Sequence, residues 1–256
     1  MNNQKAPDII RIAIMLLLVL VVIPLLPILI SGQWGWWQAW VMTAVFILSF
    51  IISRILASRR NPGILAERAN YNQHQNTQPW DKWLSPLVAF GSAFVFLVVG
   101  LDAAFHWSAG FSLPLELTGL ALIVAGYLLA SYAFVENAYF SGTVRIQADR
   151  GHKVVSTGPY GWVRHPGYLG SLVASLGMPL LLDSAWAFVP VVVFGIFFVI
   201  RTRLEDRFLQ ANLPGYHQYA QKVRYRLLPV NSGIKSPQNR GRNVHFLLGK
   251  MSSEFL

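Results

Sequence analysis

The residues best equipped for chemistry lie in one stretch, His152-Lys-Val-Val-Ser-Thr-Gly158-Pro159-Tyr160-Gly-Trp-Val-Arg164-His165-Pro166-Gly167-Tyr168-Leu-Gly170. Gly158-Pro159 signals a turn. Pro166 suits the first position of a helix, where its missing N–H would have no partner, and this puts His165 at the helix cap. A helix start offers unpaired N–H groups and partial positive charge, so a carboxylate or phosphate is favoured beside it. Gly167 and Gly170 carry no side chains and let a ligand or a neighbouring helix approach the backbone. Each residue alone would serve equally as a membrane-edge cap or anchor; their concentration points to a site.

A second cluster, Arg201-Thr-Arg203-Leu-Glu205-Asp206-Arg207, follows an apolar run. Arg201 and Glu205 are four apart and share a helix face. If residues 167–182 and 184–200 form a helical hairpin, that face returns to the His165 end and both can border one cleft. The familiar soluble motifs are missing: no glycine-rich dinucleotide or phosphate loop, no His-Glu-x-x-His and no nucleophile elbow. His74, His106, His217 and His245 have no ligand-like spacing, and no metal is expected. With no cysteine in the chain, thiol nucleophiles, disulfides and iron–sulfur ligation are excluded.

The elements that must position these groups are apolar. The 256 residues are 54% hydrophobic and 12% charged, with mean hydropathy +0.44; soluble domains carry about 25% charged residues. Uncharged runs at 12–30, 36–53, 83–101 and 117–135 are close to the ~20 residues a spanning helix needs, and those at 167–182 and 184–200 are shorter. Lys and Arg collect on the cytoplasmic side of membrane proteins. Six crossings from a cytoplasmic N-terminus place all 21 on inner segments, and the outer loops and adjoining helix ends carry only Asp102, Glu116 and Asp183. The expected fold is therefore all-α: a polytopic membrane protein with about six transmembrane helices, the last two a hairpin turning near Asp183–Ser184, and cytoplasmic N- and C-termini. Residues 1–135 form a four-helix scaffold, 136–230 the catalytic region and 231–256 a basic cytoplasmic tail. The formal charge of +10 is assigned to the anionic membrane face, with no role for nucleic acid. The first run is read as an anchor, too long for a removable signal peptide and without a cleavage site.

From about Gln147 to Pro229 the chain resembles the isoprenylcysteine carboxyl methyltransferase family, and more loosely the phospholipid N-methyltransferases. The likeness rests on His152-x-x-Val155-x-x-Gly158-x-Tyr160, Arg164-His165-Pro166-x-Tyr168-x-Gly170, Glu205-Asp206-x-x-Leu209, Gly215-Tyr216-x-x-Tyr219 and Arg226-x-x-Pro229, in that order. The resemblance implies an integral membrane enzyme, active site toward the cytoplasm, that transfers a methyl group from S-adenosylmethionine to a lipophilic acceptor. By positional match, Gln147, His152, Lys153, Val154, Val155, Tyr160, His165, Pro166, Gly167, Tyr168 and Glu205 would line the cofactor site, and Arg201 would face the acceptor. The family often has Glu-Glu where this chain has Glu205-Asp206.

The residue types agree. The donor's carboxylate suits the His165 helix start, its ammonium suits Glu205, and the ring of Tyr160 or Tyr168 can hold a cation or the adenine. A carboxylate acceptor requires no strong acid or base, because nucleophile and sulfonium charges vanish together; Arg201 could hold it as a two-donor fork. An amine acceptor, as in a phospholipid headgroup, would instead prefer an acidic neighbour. Membrane sterol reductases carry a similar Arg-x-Pro-Asn-Tyr-x-Gly stretch and would bind NADPH, but Gly167 stands where they have Asn.

Overall fold

The computed structural model describes residues 9–69 and 76–227. The expected tail at 231–256, the motif's Pro229, His74 and His245 lie outside them. The first helix, α1 (Ile9–Leu17), continues through a π-helical turn (Leu18–Val22) into α2 (Ile23–Ser31). Then come α3 (Trp37–Arg60), the short α4 (Ile64–Ala69), α5 (Asp81–Phe105) and α6 (Leu113–Glu136). The long segment after α6 holds two 3-10 turns, Ala148–Arg150 and Gly158–Gly161, and leads to α7 (Pro166–Leu181), α8 (Phe188–Asn212) and α9 (Tyr216–Lys222). Among the described residues there is no strand.

Among the described residues, four stretches are long and apolar enough to cross a membrane: Ile12–Ser31, Trp37–Arg60, Asp81–Phe105 and Leu113–Glu136. Their outward faces carry large apolar side chains such as Leu48, Ile52, Phe94 and Leu128, the last 65% exposed; a contiguous apolar exterior of this kind is suited to lipid. The hairpin helices do not meet the same measure. With 16 residues, α7 extends about 24 Å at 1.5 Å per residue, short of the ~30 Å hydrocarbon core. Although α8 has 25 residues, its apolar part ends at Arg201.

The hairpin turn falls at 182–187, where Asp183 takes a left-handed φ of 53°. The Asp183 carboxylate accepts the Phe111 N–H at 2.9 Å, Ser184 Oγ donates to Asp102 at 2.5 Å, and Gln38 donates to Glu116 at 3.1 Å. The α2–α3, α5–α6 and α7–α8 turns therefore meet at one end, and the polar segments meet at the other. Gln33, which donates to the Ala103 carbonyl at 3.1 Å, completes the first of these ends.

What fixes the start of α7 is its seam with α6. A Cβ on Gly126 would lie 2.4 Å from the Ala174 backbone nitrogen, and one on Gly170 would lie 2.5 Å from the Gly126 carbonyl. Gly119 and Gly177 meet in the same way one turn pair further along. Small residues at such spacing let two membrane helices touch backbone to backbone, where dispersion replaces the missing hydrophobic drive. Gly170 is thus taken up by a helix rather than by a ligand.

Candidate functional site

At the polar end, the segment after α6, the start of α7, the C-terminal half of α8 and α9 enclose one cavity. About 100 Å³ of it is open to the centres of water-sized molecules, within an empty volume of about 800 Å³ that runs out to solvent. Its walls include His152, Lys153, Val154 and Val155 from the segment, Tyr160 from the second 3-10 turn, His165, Gly167 and Tyr168 from α7, and Arg201 and Glu205 from α8. Gln147 also borders it. Pro166 does not line the cavity, contrary to expectation; it is the buried first residue of α7, with His165 at the cap. Its fixed φ starts the helix.

The two motif clusters meet through Tyr168. Its hydroxyl donates to Glu205 Oε2 at 2.6 Å, and its ring stacks on His165 with centroids 5.7 Å apart and planes within 1°. Glu205 consequently presents an oriented carboxylate beside the helix start. Gly167 lets the Phe140 ring pack directly on the start of α7, since a Cβ there would come within 2.8 Å of that ring.

His152 and Gln147 form a unit in the facing wall. The Gln147 N–H donates to His152 Nδ1 at 3.3 Å, which selects the tautomer protonated at Nε2. The His152 ring packs on Tyr139 at 4.6 Å. Burial, then the charges of Arg145 and Arg150, lower the His152 pKa from 6.5 to about 4, so it is neutral at physiological pH. The Gln147 side chain is wholly buried and spent on its own neighbours, donating to the Tyr139 carbonyl at 2.7 Å and accepting from Arg150 at 2.6 Å. Gln147, expected in the cofactor site, borders the cavity with both ends of its side-chain amide held by these neighbours.

Arg201 departs further from expectation. Its Nε and Nη2 donate to the Asp81 carboxylate at 2.7 and 3.1 Å, and Nη2 also reaches the Gly142 carbonyl at 3.1 Å. Asp81 is completely buried and also accepts the Val144 N–H at 2.6 Å. The two-donor fork expected to grip an acceptor is therefore closed on Asp81, the first residue of α5. This ion pair clamps the 142–144 backbone to α8 and sets one wall. Nη1 alone makes no hydrogen bond among the described residues, and the guanidinium lies 5.3 Å over the Tyr168 ring.

The Glu205-Asp206 ambiguity resolves geometrically. Asp206 has no exposed surface and gathers Arg164 in a two-point pair at 2.7 and 3.0 Å, Arg226 at 2.7 Å and Tyr216 at 3.2 Å. The same region is tied by backbone bonds from Arg164 to Tyr225 and from His165 to Arg226, at 2.9 and 3.0 Å. Asp206 is a structural knot, and Glu205 is the acid that borders the cavity. Sequence reasoning missed Asp81 entirely; a single acid at a helix start carries no local signal of a partner 120 residues away. Tyr216 and Tyr219 also line the space, and their presence in the Gly215-Tyr216-x-x-Tyr219 motif was the available clue. Among the described residues no three His, Cys, Asp or Glu side chains group as metal ligands.

A helical protein with membrane-length apolar helices and one motif-lined polar cavity at their end is the class defined by this geometry. Comparison with known proteins narrows it: residues 118–211 match the model of the isoprenylcysteine carboxyl methyltransferase (ICMT) family, which bears out the resemblance carried by the motifs. The chain is similar to the probable protein-S-isoprenylcysteine O-methyltransferase of Oryza sativa subsp. indica, 32% identical over 108 residues, covering 41% of this chain and 56% of the relative. Protein-S-isoprenylcysteine O-methyltransferase B of Arabidopsis thaliana is 34% identical over 110 residues, with 41% and 55% covered. The protein-S-isoprenylcysteine O-methyltransferase of Schizosaccharomyces pombe is 32% identical over 114 residues, with 42% and 47% covered. The chain spans about half the length of the curated relatives it matches.

Proposed function

We propose that this protein is an integral membrane, S-adenosylmethionine-dependent methyltransferase acting on the carboxylate of an isoprenoid or other lipid-like acceptor. The observation that carries the proposal is the shared wall of one cavity, where Tyr168 joins the start of α7 to the Glu205 carboxylate, its ring stacked on His165 and its hydroxyl donating to Glu205. Those groups answer the charges of the donor one by one. The unpaired N–H groups at the α7 start and Lys153 suit its carboxylate. Glu205 suits its ammonium, and Tyr160 and Tyr168 offer ring faces. When bound, the donor supplies an electrophilic methyl on a sulfonium.

The protein's own contribution is alignment and removal of water. An ionised carboxylate attacking in line loses its charge as the sulfonium loses its own, so a dry site held in fixed geometry accelerates the step without a base. Arg201, locked by Asp81, cannot swing; in this reading it contributes a fixed positive charge beside the acceptor. Among the described residues that line the cavity, Glu205 is the one acid, and with it assigned to the donor's ammonium a carboxylate acceptor is favoured over an amine that must shed a proton.

The gathering of Arg145, Arg164, Arg201 and Arg226 around the polar end, opposite an end that holds Asp102, Glu116 and Asp183, supports six crossings with the cavity and both termini on the cytoplasmic side. The short hairpin of α7 and α8 then sits against α6 and α5, with the cavity at the inner interface.

The test pairs binding with turnover. In detergent, calorimetry should show S-adenosylhomocysteine binding and NADPH not binding, and labelled S-adenosylmethionine should methylate a farnesyl-thioether carboxylic acid. NADPH binding with no response to S-adenosylhomocysteine would replace this reading with a reductase.

A further inference from the structure

A second, mainly apolar chamber adjoins the polar cavity. It lies among α3, α5, α6, α7 and α8, with about 290 Å³ open to the centres of water-sized molecules, and it shares Phe140, Gly167 and Tyr168 with the first. An apolar space between membrane helices calls for no charge, yet Arg54 is part of its wall. The Arg54 guanidinium lies 3.7 Å over the Phe50 ring and 4.8 Å from that of Phe134. Arg68, from α4, lies 5.4 Å from the Phe134 ring and 5.6 Å from that of Phe140, which borders both spaces.

Neither guanidinium has an acidic partner among the described residues. Arg54 donates to the neutral Ser53 hydroxyl at 2.9 Å, and the Nη1 of Arg68 is buried without any hydrogen bond. Burial first, and then the charge of nearby Arg201, lower the Arg68 pKa. Three guanidinium groups thus pack on rings around the two chambers, Arg54 and Arg68 near Phe134 and Arg201 over Tyr168, and Asp81 neutralises one of them. Ring faces offset part of the cost of stripping water from a cation, but two like charges with no acidic partner among the described residues, Arg54 in the chamber wall and Arg68 against the Phe134 and Phe140 rings that border it, remain expensive. A protein keeps such a pair when something anionic arrives to meet it.

We propose that Arg54 and Arg68 form an anion subsite that receives the carboxylate of an amphiphile whose apolar chain fills the chamber. The site hands that carboxylate toward the polar cavity past Tyr168, while the Arg201 fork stays closed on Asp81. The assignment rests on the methyltransferase reading for the identity of the amphiphile as acceptor, but its binding test is independent of turnover.

The test uses the full chain in detergent and two probes, a farnesyl-thioether carboxylic acid and its methyl ester, titrated without cofactor. The wild type should bind the acid at least tenfold more tightly than the ester. R54Q and R68Q should each lose at least tenfold affinity for the acid, leaving ester and S-adenosylhomocysteine affinities within twofold, and R68K should retain the preference for acid. Equal binding of acid and ester by the wild type, or an unchanged acid affinity in R54Q and R68Q, overturns the subsite. Competition by phosphatidylglycerol as strong as by the acid overturns it in favour of a lipid headgroup. Should R68Q fail to fold, R54Q carries the comparison. Arginine-dependent acid binding without S-adenosylhomocysteine binding would leave the subsite standing and remove the methyltransferase reading.

Discussion

Adjacent acids in α8 have opposite fates, and the difference sets what each substitution should do. Glu205 has one hydrogen bond, from Tyr168, and borders the cavity; Glu205→Gln should weaken S-adenosylhomocysteine at least tenfold, about 1.4 kcal/mol, without moving the melting temperature. An unchanged affinity by calorimetry removes Glu205 from the site. Asp206 is held by Arg164 and Arg226 with no exposed surface; Asp206→Ala should cost about 3–5 kcal/mol by stranding those cations, seen as a large loss of thermal stability. Arg201→Ala, which leaves the buried Asp81 unpaired, should lower the melting temperature as well as turnover, whereas a residue that served the acceptor alone would spare stability. His152 adds a pH signature. Its folded pKa lies near 4 and its unfolded value near 6.5, so the unfolded chain binds the proton more tightly. Its contribution is fully present above about pH 6.5 and drains as pH falls toward 4. Melting curves of the wild type and His152→Gln should converge across that window.

At the scale of elements, the α6–α7 seam determines where the cavity begins. Gly126 and Gly170 are each nearly in contact with the opposing backbone, so Gly126→Leu should force the helices apart and destabilise by about 3 kcal/mol or more, since overpacking of a tight contact costs about 1–3 kcal/mol even for smaller intrusions. The readout is thermal melting in detergent, with loss of S-adenosylhomocysteine binding as the α7 start shifts. The helical hairpin was legible because Asp183 interrupts an apolar run and because the basic residues after it belong on the same side as those before it. The cap at His165 was legible because Pro can open a helix and cannot sit inside one without penalty. The π turn at Leu18–Val22 was not legible, because a continuous Leu/Val run has no marker for a local change of helical pitch. The Arg201–Asp81 and Arg164–Asp206 pairs were also beyond reach: an ion pair between distant segments leaves no periodic trace, and an isolated Arg at a membrane edge looks the same whether it snorkels or is clamped.

For the whole molecule, the ends of the helices separate by chemistry. Asp102, Asp183 and Glu116 gather at one end with serine and glutamine donors, and Arg145, Arg164, Arg201 and Arg226 gather at the other. The six-crossing arrangement predicts that this second end faces the cytoplasm. Because the chain has no cysteine, single replacements give a clean assay: Lys153→Cys should react with an impermeant maleimide only from the cytoplasmic side of inverted vesicles, and Ser112→Cys only in right-side-out vesicles. The reverse pattern would invert the proposed topology and place the cavity across the membrane from its expected donor.

The knot around Asp206 also bears on biosynthesis. Its partners are Arg164 before the hairpin, Tyr216 in α9 and Arg226 beyond it, so the polar cavity cannot close while the later residues are still inside the ribosome. Helices delivered early to the translocation machinery would pass as ordinary lipid-compatible segments, and capture of a methyl donor would begin only after the nascent chain had cleared the tunnel far enough for Arg226 to dock.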